Sequence, residues 1–117
     1  MELLTRSEGD IKILGLSGRF DIQTAHEVSK WMQDATSSPP AQVVVNLSDV
    51  SFLDSTALST LVQGLKRSRE LNGDVRLCGL HQPVRMIFEL TRLDKAFEIY
   101  NTQEDAIQAF NILESTL

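Results

Sequence analysis

Val43-Val44-Val45-Asn46-Leu47-Ser48-Asp49-Val50-Ser51-Phe52-Leu53-Asp54-Ser55-Thr56-Ala57-Leu58 is the stretch on which the fold turns. It opens on an unbroken β-branched run with no polar alternation, as expected for a central strand covered on both faces or crowded by parallel neighbours, and we read the strand over residues 42–47. Leu58, Leu61, Val62 and Leu65 then recur at i, i+3, i+4 and i+7, which predicts a helix over residues 55–71 that Asn72-Gly73 terminates. Gly64 inside that helix costs about 1 kcal/mol relative to Ala, so it predicts close packing of the helix against a sheet. Between strand and helix, Asp54, Ser55 and Thr56 are all good capping residues for the first free N–H groups.

The pattern continues outward in both directions. Residues 1–7 and 11–16 are short apolar-rich segments separated by Glu8-Gly9-Asp10, an opening β-hairpin. Thr24 stands three residues before Glu27, a capping box, and Ala25, Val28, Met32 and Ala35 follow at helical spacing. Ser37-Ser38-Pro39-Pro40 ends that helix in a turn. Beyond the central helix, residues 74–80 read as a strand, and Pro83 suits the first turn of a helix carrying Val84, Ile87 and Phe88. Residues 96–100 read as a last strand, and Thr102 with Asp105 caps a final helix burying Ala106, Ile107, Phe110 and Leu113. Strands alternating with helices imply right-handed βαβ units. The expected fold is α/β: one domain over residues 1–117, with a mostly parallel mixed sheet, an antiparallel opening hairpin and about four helices.

Composition narrows the function. A chain of 117 residues with 42% hydrophobic residues fills one core without a metal or disulfides. Cys78 is the single cysteine, so neither an internal disulfide nor a multi-cysteine metal site can form, and its strand setting predicts a buried, inert thiol. The net charge of −5 disfavours a nucleic-acid partner, whose affinity rests on cationic neutralisation. An acid at Glu2 and the lack of a long apolar run argue against a signal peptide or membrane insertion, so a cytoplasmic protein with protein partners is expected. No internal repeat or low-complexity tract is present. Lys66, Arg67 and Arg69 read as a solvated basic face, and Trp31 as a partly buried core residue.

Two motifs carry a resemblance. Val50-Ser51-Phe52-Leu53-Asp54-Ser55-Thr56-Ala57-Leu58 is similar to the signature of the STAS family, an apolar stretch followed by Asp-Ser-Ser/Thr-Gly-Leu at a helix start. Upstream, Leu16-Ser17-Gly18-Arg19-Phe20-Asp21 is similar to that family's Leu-x-Gly-x-Leu-Asp marker. The chain departs from the pattern at Ala57, where the family usually has Gly, and at Phe20, where it usually has Leu. The resemblance covers essentially the whole chain and points to the bacterial anti-sigma factor antagonists.

What the resemblance implies is a phosphorylation-switched binding protein, without cofactor or catalytic residues. Ser55 matches the regulated serine, and Asp21, Asp54, Thr56 and Ala57 are its switch neighbourhood. In the relatives it resembles, an anti-sigma factor serine kinase binds the unphosphorylated form, which frees the sigma factor, and phosphorylates the serine. A metal-dependent serine phosphatase reverses this. A second reading within the family is a STAS scaffold subunit of a stress-signalling or transporter complex. More distant readings are a serine hydrolase using Ser55 with His26 or His81, which lacks a Gly-x-Ser-x-Gly elbow, and a receiver-like phosphoacceptor at Asp54, which lacks paired acids for Mg²⁺ on the first strand.

Overall fold

A computed structural model describes residues 1–115 of the chain, with side-chain surroundings as far as Asn111. The elements follow the expected order. Strands β1 (Glu2–Glu8) and β2 (Ile11–Phe20) form the opening hairpin, and α1 (Ala25–Ala35) leads to β3 (Gln42–Leu53). After α2 (Ser55–Glu70) come β4 (Asp74–Cys78), α3 (Gln82–Leu90), a short 3-10 turn (Leu93–Lys95), β5 (Glu98–Tyr100) and α4 (Gln103–Ser115). The five strands lie in the order β1-β2-β3-β4-β5, with β1 antiparallel to β2 and every other pair parallel.

The layers explain the valine run. Val43 and Val45 point into the larger core, which holds Val28 and Met32 of α1, Leu61 and Leu65 of α2, and Val84 and Phe88 of α3. Val44 points the other way, into a smaller cluster with Ile11, Ile13, Cys78 and the Ala106, Ile107 and Phe110 face of α4. Three helices therefore cover one face of the sheet, and α4 covers the other. Trp31 packs partly buried against the larger core. Cys78 is fully buried in the smaller one. The expected burial of Leu113 lies outside the described side chains.

Several expectations are corrected. Strands β2 and β3 run four and six residues past their expected ends at Leu16 and Leu47. They do so as a parallel pair with register shifts at Gly15/Ser17 and Gly18/Arg19. Such bulges interrupt the alternation from which strand ends are read. The capping box does not form: Thr24 is already in a right-handed helical conformation and makes no side-chain cap bond, whereas a capping hydroxyl needs an extended residue. The tight approach at Gly64 is to α1, not the sheet, because a Cβ there would lie 2.6 Å from Met32 Cγ. Lys66 and Arg69 are exposed, as the basic face requires, and only Arg67 departs from it, being half-buried. Arg67 Nε donates to Thr36 Oγ1 at 3.2 Å, and Arg69 Nη2 donates to the Ala96 carbonyl at 2.6 Å. The Thr102 cap holds, its Oγ1 accepting from Asp105 N at 3.1 Å.

Candidate functional site

The extension of β2 and β3 brings the two motifs side by side. Gly18 pairs in register with Val50, Arg19 with Phe52 and Phe20 with Leu53, and Asp54 N donates to Phe20 O at 3.3 Å. Both strands end together at the carboxyl edge of the sheet, where α/β proteins collect their functional groups. Phe20 and Leu53 face inward and are buried, so the next residues of each chain emerge on the surface.

Asp54 is the joint between the two loops. It takes the N-cap position of α2 in an extended conformation, and its Oδ1 accepts from Ala57 N at 3.0 Å. Its Oδ2 accepts from Ile22 N, also at 3.0 Å, across to the β2–α1 loop. One carboxylate thus satisfies a free N–H of the helix and a free N–H of the neighbouring loop. Charge-assisted bonds of this kind are about twice as strong as neutral ones. Asp21 organises its own loop: its carbonyl accepts from Thr24 N and Ala25 N, its Oδ1 accepts from Gln23 N at 3.0 Å, and Arg19 Nε lies 3.5 Å from its Oδ2. Thr24 Oγ1 accepts from Asp21 N and donates to Arg19 O, so the hydroxyl expected to cap α1 closes this turn instead.

Ser55 follows as the first residue of α2 and is exposed. Thr56 is half-buried, and its carbonyl accepts from Thr60 Oγ1. Ala57 is fully buried, so its side chain belongs to the core and only its amide reaches the site, through Asp54. The structure brings Asp21, Asp54, Ser55 and Thr56 together at the surface, while Ala57 contributes only its amide from beneath. It adds three residues that the motifs did not single out. Ile22 is 70% exposed and Phe52 38% exposed, and the Arg19 guanidinium sits 4.1 Å above the Phe52 ring. Phe52 was legible in principle, as the outward neighbour of buried Leu53 on a strand.

Of the two histidines, His81 makes a structural contact. His81 Nε2 lies 2.9 Å from Val50 O, and because a carbonyl can only accept, this nitrogen donates. The ring ties the start of α3 to the bulged end of β3. His26 is exposed on α1. Among the described residues no cluster of three or more His, Cys, Asp or Glu side chains could hold a metal ion, and no helix is long and apolar enough to cross a membrane.

Comparison with known proteins bears on the family and the fold. Residues 2–106 match the STAS domain family. The anti-sigma-B factor antagonist of Listeria monocytogenes is 28% identical over 103 residues, spanning 88% of this chain and 90% of that protein. The crystal structure of an anti-sigma factor antagonist from Mycobacterium paratuberculosis is similar with a TM-score of 0.82 at 29% identity, over 92% of each chain. The Bacillus cell fate determinant SpoIIAA in its phosphorylated form shares the fold, with a TM-score of 0.74 at 17% identity over 93% of this chain and 99% of that one. As a match to the STAS domain family, this chain is not an enzyme.

Proposed function

The chain belongs to the STAS domain family, and on that premise we propose that it is an anti-sigma factor antagonist switched by phosphorylation of Ser55. The unphosphorylated form binds an anti-sigma serine kinase in the cytoplasm and releases the sigma factor. The kinase phosphorylates Ser55 and ends the complex, and a metal-dependent serine phosphatase restores it. The observation that carries this reading is the exposed hydroxyl of Ser55 at the first turn of α2, flanked by exposed Ile22 and Phe52.

The position suits a switch that acts without refolding. A phosphate would add about 1.5 to 2 negative charges at a helix N-terminus, where the macrodipole and free N–H groups favour an anion. The fold therefore tolerates it. A partner docked over Ser55, Ile22 and Phe52 would instead have to strip water from a dianion beside the Asp54 carboxylate.

The test is titration calorimetry of wild type, Ser55→Ala and Ser55→Asp against the candidate kinase, with melting curves on the same samples. Ser55→Asp is expected to weaken binding by about thirtyfold, the equivalent of about 2 kcal/mol of desolvation, while its melting temperature stays near wild type. Equal affinities for all three proteins would remove Ser55 from the interface and leave the scaffold reading ahead. Mass spectrometry of native material checks the modification itself. A seryl phosphate survives hydroxylamine, whereas an acyl phosphate on Asp54 would be cleaved.

A further inference from the structure

The two edges of the sheet are not alike. β5 is three residues long. β1 runs for seven residues in uninterrupted register with β2, from Glu2 opposite Ser17 to Glu8 opposite Ile11. It contains no Pro and no bulge, two of the devices that blunt an exposed edge; a third, charged side chains, is present at Glu2, Arg6 and Glu8. Its outer row of backbone N–H and C=O groups is a template for a further strand.

Its side chains say which strand. Arg6 lies opposite Ile13 and Leu4 opposite Gly15, and Ile13 belongs to the cluster beneath α4. Alternation then places Glu2, Leu4 and Arg6 together on the α4 face of the sheet. There they border a groove of about 300 Å³ whose far wall includes Asn46 and Gln103. Leu4 is 68% exposed in it, flanked two residues away on either side by an acid and a base. The ion pairs among the described residues involve neither Glu2 nor Arg6.

We propose that β1 pairs antiparallel with β1 of a second copy of this chain, in the register centred on Leu4. A two-fold axis perpendicular to the sheet keeps each face on its own side, so the register must be centred on a residue, not between two. Centring on Leu4 sets Leu4 against its own copy, Glu2 against the partner's Arg6 and Arg6 against the partner's Glu2. Both charge pairs are then attractive. Centring on Thr5 would instead set Glu2 against the partner's Glu8 and Leu4 against the partner's Arg6, opposing like charges twice and an apolar side chain to a cation. Charge complementarity therefore selects one register, and the five-stranded sheet continues into its copy. Ser55 follows β3, two strands in from that edge, so the inference stands independently of the switch.

Sedimentation equilibrium of the full chain over a concentration series tests it, with circular dichroism and melting of every variant to show that each is folded. Wild type is expected to dimerise. Glu2→Arg and Arg6→Glu alone each oppose like charges at two places and should weaken the dimer by about tenfold or more. The double exchange, Glu2→Arg with Arg6→Glu, should recover it. A wild type that stays monomeric throughout, or a dimer indifferent to both single changes, would overturn the proposal. So would a dimer strengthened by Glu2→Arg, the mark of the register centred on Thr5.

Discussion

At the scale of single residues, Asp54 matters more to the architecture of the patch than Ser55 does. Its two oxygens bind Ala57 N and Ile22 N, so removing the carboxylate frees two amides at once. Asp54→Ala is expected to cost about 1 to 2 kcal/mol, the range of a lost cap, and to speed hydrogen exchange at Ile22 and Ala57. Unchanged exchange at Ile22 would mean that the loop holds its shape without the bridge. Ser55→Ala, by contrast, should unfold within a few tenths of a kcal/mol of wild type, because the cap belongs to Asp54 and the serine side chain is exposed. The sequence offered three adjacent capping candidates and could not rank them; backbone geometry does, since only Asp54 is extended at the N-cap.

Cys78 lends itself to a pH measurement. Burial pushes its thiol up from 9.0 to about 11, since the apolar surroundings disfavour the thiolate. A raised folded value means that the group's stabilising contribution is intact below pH 9 and is lost as the pH rises towards 11. Alkylation of the native protein should accordingly be very slow near neutral pH, when compared with the urea-unfolded chain. Rapid labelling of the native protein at pH 8 would contradict the burial.

Among the elements, the ones with strong local periodicity were legible and the ones shaped by pairing were not. The order of strands and helices, the two-faced burial of Val43-Val44-Val45 and the Thr102 cap all follow from local pattern. The second halves of β2 and β3 do not, because Ser17, Gly18, Arg19, Ser48, Asp49 and Ser51 interrupt the apolar pattern and the segments are held extended by the bulged pairing between Ser17–Phe20 and Asp49–Leu53. This is also why the patch was only half visible: Arg19, Ile22 and Phe52 join it through that pairing. Glycine at 64 was recognised as a contact but assigned to the wrong neighbour, since composition does not say which element a helix meets.

Two glycines give a graded test at this scale. A Cβ at Gly64 would meet the Met32 side chain, which is flexible, whereas at Gly73 it would lie 1.9 Å from the Ala41 carbonyl oxygen, which is backbone. Gly64→Ala should cost about 0 to 2 kcal/mol, an overpacking penalty of about 1 to 3 kcal/mol being partly offset by the gain of about 1 kcal/mol in helix propensity. Gly73→Ala must displace the chain between α1 and β3 and should cost about 3 kcal/mol or more. Urea unfolding of both variants would show the order, and the reverse order would make the helical contact at Gly64 the tighter of the two.

For the molecule as a whole, the edge at β1 and the patch at the ends of β2 and β3 are separate parts of one sheet. If the β1 edge pairs as proposed, apparent stability becomes concentration-dependent, because a partner that binds only the folded chain stabilises it by mass action. The switch should leave that dependence unchanged, and melting temperatures of Ser55→Asp over a dilution series would reveal any coupling.

The unequal layering has a consequence for slow motion. Among the described residues α4 alone covers its face, where Ala106, Ile107 and Phe110 join a smaller cluster than the one opposite, so it should lift from the sheet at a lower free energy than global unfolding. Cys78 lies in that cluster, fully buried. The chain therefore carries its own stopwatch: when reclosing outpaces alkylation, the labelling rate of this one thiol counts the fraction of time that α4 stands open.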